Sequence, residues 1–96
     1  MNLANTSYKD LDIGQQLYIV EECGIDCSYF ITCLYLTEIH INAFGVDWIR
    51  AEINTKYEHH DSVYDCKDFY RIFITQEDAI KYCEESGWAY SFLWKD

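Results

Sequence analysis

The chain has no proline and four glycines in 96 residues. Without proline there are no cis-proline turns and no proline-blunted sheet edges. Basic residues are scarce as well. Seven Lys and Arg stand against seventeen Asp and Glu, a formal net charge of −10. Between Lys9 and Arg50 there is no basic residue, while Asp10, Asp12, Glu21, Glu22, Asp26, Glu38 and Asp47 all fall there. Nucleic-acid affinity depends on clustered cations against phosphate, so direct nucleic-acid binding is excluded. The same charge repels an anionic membrane surface. No run approaches the ~18 apolar residues that a bilayer span requires. The longest, Ser28 to Ile41, is interrupted by Thr32, Thr37, Glu38 and His40. The polar start lacks the basic and apolar regions of a secretory leader, so the expected location is cytoplasmic.

Half of the residues are apolar, and three Trp, nine Tyr and five Phe are among them. That load is enough for a folded core despite the charge. The length suits one domain, residues 1–96, with 1–14 expected to be loosely ordered. Cys23, Cys27, Cys33, Cys66 and Cys83 form an odd set, which in a reducing compartment is expected to remain as free thiols.

Hydrophobic alternation places a first strand at Gln16–Glu21, followed by a turn at Cys23–Asp26 in which Gly24 can take positive φ. A long strand follows from Ser28 to about Asn42. Strict alternation puts Tyr29, Ile31, Cys33, Tyr35, Thr37, Ile39 and Ile41 on one face, and a strand this long is expected to bend or bulge. Phe44–Asp47 makes a hairpin turn into Trp48–Asn54. A polar connection, 55–68, holds His59, His60 and Asp61, and a fourth strand covers Phe69–Ile74. Thr75 then caps a helix over Gln76–Ser86, closed by Gly87. The last strand, Trp88–Trp94, alternates aromatics and is expected to close the core. The expected fold is α+β: a strongly bent antiparallel sheet of about five strands with one helix packed on it.

Two segments carry a resemblance. Gly14-Gln15-Gln16-Leu17-Tyr18-Ile19-Val20 and Ile72-Phe73-Ile74-Thr75-Gln76-Glu77-Asp78-Ala79 resemble the first strand and the strand-to-helix passage of a loose group of small phage and prophage proteins. The likeness spans Gly14 to Cys83. It implies a small SH3-like or half-barrel α+β protein carried by a mobile element. It brings no activity and no catalytic residues with it.

Catalytic and metal-binding constellations are thin. Cys23-x₃-Cys27 resembles half of a zinc site, but His59, His60 and Cys66 do not supply a matching half. Cys66 beside those histidines lacks a companion oxyanion motif. The paired acids Glu21-Glu22, Glu77-Asp78 and Glu84-Glu85 are explained by strand alternation, helix-dipole preference and solubility. No enzyme activity, cofactor or metal is therefore expected. The acids between Glu58 and Glu85 point instead to a binder. Tyr57, Glu58, Asp61, Tyr64, Asp65, Asp68, Glu77, Asp78, Glu84 and Glu85 are the expected partner-binding residues, with the tyrosines as anchors. The expected partner is a host protein with a basic nucleic-acid-binding surface, a CRISPR effector nuclease above all, blocked by an anti-CRISPR-like nucleic-acid mimic. The alternative is a structural or regulatory adaptor of the mobile element, a homodimer through the aromatic C-terminal strand.

Overall fold

The computed structural model describes residues 2–25, 27–54 and 59–93. Six strands and one helix follow in order: β1 (Gln16–Cys23), β2 (Ser28–Asn42), β3 (Gly45–Asn54), β4 (His59–Asp65), β5 (Ile72–Phe73), α1 (Gln76–Ser86) and β6 (Ala89–Phe92). The sheet order is β4-β3-β2-β1-β5, and β6 adds to the start of β2. All pairings are antiparallel except β6 with β2, which is parallel. The chain is thus α+β with an open, six-stranded sheet and one helix. The additional strand, β4, and the parallel direction of β6 depart from the expected five-stranded antiparallel arrangement. α1 intervenes between β5 and β6 and returns the chain for a parallel addition.

β2 organises the sheet. It pairs with β1 through Tyr35 and with β3 from Leu34 onward. The register shifts between Leu36 and Glu38, so Thr37 is an extra residue. Its hydroxyl donates to the Arg50 carbonyl, 3.0 Å away, which ties the bulge down. A bulge inverts the alternation beyond it. Ile39 therefore packs with Leu34 and Leu36 and not with Ile31, which corrects the single-face assignment from strict alternation.

Two cores result, one on each side of the sheet. The first gathers Leu17, Ile19, Leu34, Leu36, Ile49, Ala51, Ile53 and Ile72 under Leu3, Leu11 and Phe69. The second joins Val20, Tyr29, Ile31 and Phe73 to Ala79 and Cys83 of α1. Half-buried Tyr82, Trp88, Tyr90 and Phe92 pack against it. The Trp88 ring centroid lies 5.0 Å from that of Tyr29. These tail aromatics thus close a core; Trp94 lies outside the described residues. Ile39, Ile74 and Ile80, expected as core, are half-buried.

Local signals hold where they are strong. Thr75 Oγ1 accepts from the Asp78 N–H at 3.2 Å, and Gly87 ends α1 at φ +78°. Only in the left-handed region is a missing Cβ needed, and Gly87 lies there. In the β1–β2 turn that conformation falls on Cys27 (φ 52°), whereas Gly24 does not adopt it. Where a polar connection was expected, His59–Asp65 forms β4 along β3. Phe69–Arg71 is a 3₁₀ turn, which leaves Ile72–Phe73 alone as strand. β4 has one large inward residue, Tyr64, so its own pattern is weak and the ladder to β3 supplies the order.

The first residues, expected to be loosely ordered, also meet the sheet. Two 3₁₀ turns, Leu3–Asn5 and Tyr8–Asp10, are capped by the side chains of Asn2 and Ser7. Asn2 bridges to Phe73, and Leu3 is only 2% exposed. Leu3→Ala should therefore cost about 2–4 kcal/mol, as buried Leu→Ala changes do. Urea denaturation would measure it. A loss below about 0.5 kcal/mol, normal for surface changes, would show that the segment contributes no core.

Candidate partner-binding surface

α1 packs on β1, β5 and β6 and over the first half of β2, so the outer face of the later half of β2, of β3 and of β4 is left without a helix over it among the described residues. Cross-strand partners share a face. One row of partners runs Asp61, Glu52, Tyr35, Gln16 from β4 to β1. The Gln16 amide donates to the Tyr35 hydroxyl at 3.2 Å, and the Tyr18 hydroxyl donates to Gln16 Oε1 at 3.4 Å. Burial, chiefly, and then nearby anionic groups including Glu77 raise the Tyr18 hydroxyl above its ordinary pKa. A second row is Val63, Arg50, Glu38, and a third is Asp65, Trp48, His40.

Charge and aromatic surface alternate over these rows. His40 stacks on Trp48 with ring centroids 3.6 Å apart and planes 14° from parallel. Glu38 lies 2.9 Å from His40 Nε2 and 3.2 Å from Arg50 Nε. The Arg50 contact is one of charge, since its Nε–H makes no aligned hydrogen bond. The His40 hydrogen bond, and with it the Arg50 charge, hold the Glu38 carboxyl below its ordinary pKa. Glu52 faces His59 at 3.2 Å and Asp65 faces Lys67 at 3.8 Å. Exposed pairs of this kind are strongly hydrated and contribute little to stability.

The residues expected to bind a partner are distributed over the molecule. Asp61 and Asp65 lie on the outer face of β4. Tyr57 and Glu58 lie outside the described residues. Tyr64 points the other way and is buried, so it is core and not an exposed anchor; burial also raises its hydroxyl pKa. Its neighbours in register, Ile49 and the first core, need a large side chain there. Asp68 pairs with Arg71 at 2.9 Å beneath the 3₁₀ turn. Glu77 and Asp78 open α1, and Glu84 and Glu85 stand in its last turn. The set therefore divides between β4, at one end of the strand order, and α1, over the other. Glu38, Glu52, Trp48 and Tyr35, which share a face with Asp61 and Asp65, were missed. The polar face Trp48, Arg50, Glu52 was legible in the sequence, but its neighbours required the register.

The cysteines are spread out. β4 separates His59 from Cys66 by about 20 Å at ~3.3 Å per residue. Among the described residues no three His, Cys, Asp or Glu side chains converge as metal ligands. Cys33 and Cys83 are buried, and burial raises both thiols, Cys83 to about 11 with help from Glu84. Cys27 and Cys66 are exposed. No family model, curated protein or solved structure matches this chain.

Two outcomes follow from this geometry. Alkylation of the native protein at neutral pH should label Cys27 and Cys66 and spare Cys33 and Cys83 until denaturant is added, as peptide mass mapping would show. Carboxyl NMR should find Glu38 titrating below the ordinary glutamate value, and His40→Ala should move it up. A depressed folded pKa means that its contribution to stability is present above the unfolded value and lost as pH falls through the folded one. Unchanged titration in His40→Ala would remove His40 as the cause.

Proposed function

We propose that this chain is a small acidic inhibitor that occupies a cationic surface of a partner protein and performs no reaction itself. One observation carries the reading. Arg50, Lys67 and Arg71 already sit against Glu38, Asp65 and Asp68. Asp10, Asp12, Glu21, Glu22, Asp47, Asp61, Glu77, Glu84 and Glu85 have no cation within ion-pair distance among the described residues. Uncompensated charge of one sign accelerates encounter with the opposite sign and rejects wrong partners.

The partner class is a nucleic-acid-binding host protein, with a CRISPR effector nuclease as the specific candidate. Such proteins carry the basic channels that a carboxylate array can fill. The resemblance to small phage and prophage proteins supports a mobile-element origin and action in the host cytoplasm. The strand order β5-β1-β2-β3-β4, with a 3₁₀ turn between β4 and β5, supports an open SH3-like barrel. The adaptor reading is weaker, because Trp88, Tyr90 and Phe92 are engaged in the second core.

The test is capture of partners from host lysate on immobilised protein, with mass spectrometry of fractions eluted by rising salt. Nucleic-acid-binding proteins should elute as the Debye length shrinks from about 10 Å at 0.1 M toward 3 Å at 1 M. Glu52→Gln with Asp61→Asn should shift that elution to lower salt. Partners that ignore both salt and the double substitution would refute an electrostatic interface.

A further inference from the structure

β2 outlasts its neighbour. On one side the ladder to β1 ends where the Gly14 N–H donates to the Leu36 carbonyl at 2.7 Å and the Leu36 N–H donates to the Gln15 carbonyl at 2.9 Å. From Thr37 to Asn42 that edge has no strand partner among the described residues, while β3 holds the other edge. An open edge presents backbone N–H and C=O groups to any extended segment that can lie beside it. This stretch, Thr-Glu-Ile-His-Ile-Asn, has neither the proline nor the lysine with which edges are commonly blunted.

Apolar surface collects at the same place. Seven large apolar side chains are exposed among the described residues, and four of them border this edge or its hairpin tip. Ile13 (63% exposed) lies at the end of the β1 ladder, and Ile41 (52%) is on the edge strand itself. Phe44 (98%) is at the tip, and Tyr8 (41%) faces it from the amino-terminal segment. Tyr8, Ile41 and Phe44 line an open groove of about 610 Å³. Ile13 and Thr37 line a second of about 470 Å³. Clustered exposed apolar side chains mark interaction sites far more often than scattered ones.

The surrounding charge selects the occupant. Exposed Asp10, Asp12 and Asp47 adjoin the lining residues in sequence; of the adjoining cations Lys67 lies against Asp65, Arg50 lies against Glu38, and Lys9 stands beside Asp10, so acid is in excess. A second copy of this chain would bring the same acids against one another. The geometry points to strand addition by an extended segment of a cationic partner protein, with basic and apolar residues alternating. The segment pairs along Thr37–Asn42, seats its apolar side chains against Ile41 and Phe44 on the face of the first core, and turns its basic side chains to the Glu38 face. This rests on the reading of the chain as a binder of cationic proteins and adds to it a backbone-directed mode of attachment.

The test uses the full chain, ¹⁵N-labelled, with an eight-residue peptide alternating Lys and Val as probe. A block peptide of the same composition and a Glu–Val alternating peptide serve as controls, and polylysine tests general attraction. The Lys–Val peptide should slow amide exchange within residues 38–42. Ile41→Ser with Phe44→Ser, exposed positions where melting should be unchanged, should weaken its binding by about tenfold, the scale of an interface anchor. Absence of protection there, equal protection by the block or Glu–Val peptide, or equal binding to the double variant would overturn strand addition. So would protection of 38–42 that rises with protein concentration alone, which would make a second copy the occupant. Polylysine binding without peptide protection would sink strand addition and leave the acidic-binder reading intact. Failure of polylysine as well would take down both.

Discussion

A strand of fifteen residues at ~3.3 Å each would run about 50 Å if straight. β2 does not keep one uninterrupted ladder over that length: its register with β3 shifts at Thr37 and again between His40 and Ile41, and a bulge bends the strand that carries it. The bend gives β2 two roles. Its first half lies between β1 and β6 and supplies Tyr29 and Ile31 to the core beneath α1. Its second half pairs with β3 and supplies Leu36 and Ile39 to the core beneath the amino-terminal segment. The rest of the architecture follows: two cores on opposite sides of one sheet, each with its own lid.

The same irregularity shapes the two proposed surfaces. α1 covers β1, β5, β6 and the first half of β2, so the face formed by the later half of β2 with β3 and β4 keeps its charged side chains in water. β1 ends its pairing where the bend begins, so the later edge of β2 is left open beside exposed apolar side chains. Both surfaces belong to a chain that carries more acid than its few cations can neutralise. The pairs that form, Arg50 with Glu38 and Arg71 with Asp68, use up arginine and leave a surplus of carboxylate. In a domain of this size that surplus opposes compactness, and the two apolar cores offset it.

Legibility in the sequence tracked the strength of local signals. The helix and its caps were readable because Thr75 and Gly87 act through backbone groups within a few residues. β1 and the pairing of β2 with β3 were readable from dense apolar alternation, but the turn is Ala43–Phe44 and β3 already begins at Gly45, not at Trp48 as expected. β4 was not, since His59–Asp65 is polar and takes its order from β3. The amino-terminal lid was missed because Leu3 and Leu11 are isolated apolar residues in a polar stretch. The candidate surface was half legible: Asp61 and Asp65 do lie on the outer face of β4, while Tyr64 was taken for an exposed anchor because residue type says nothing about which way a strand faces.

The sequence alone determined the sign and excess of charge, the α+β content and the position of the helix, since composition and short-range hydrogen bonding need no distant partner. Only the tertiary structure decided which acids share a surface. That depends on cross-strand register and on the two register shifts of the β2–β3 ladder, at Thr37 and at Asp47, and a shift of one residue in either moves every later side chain to the opposite face.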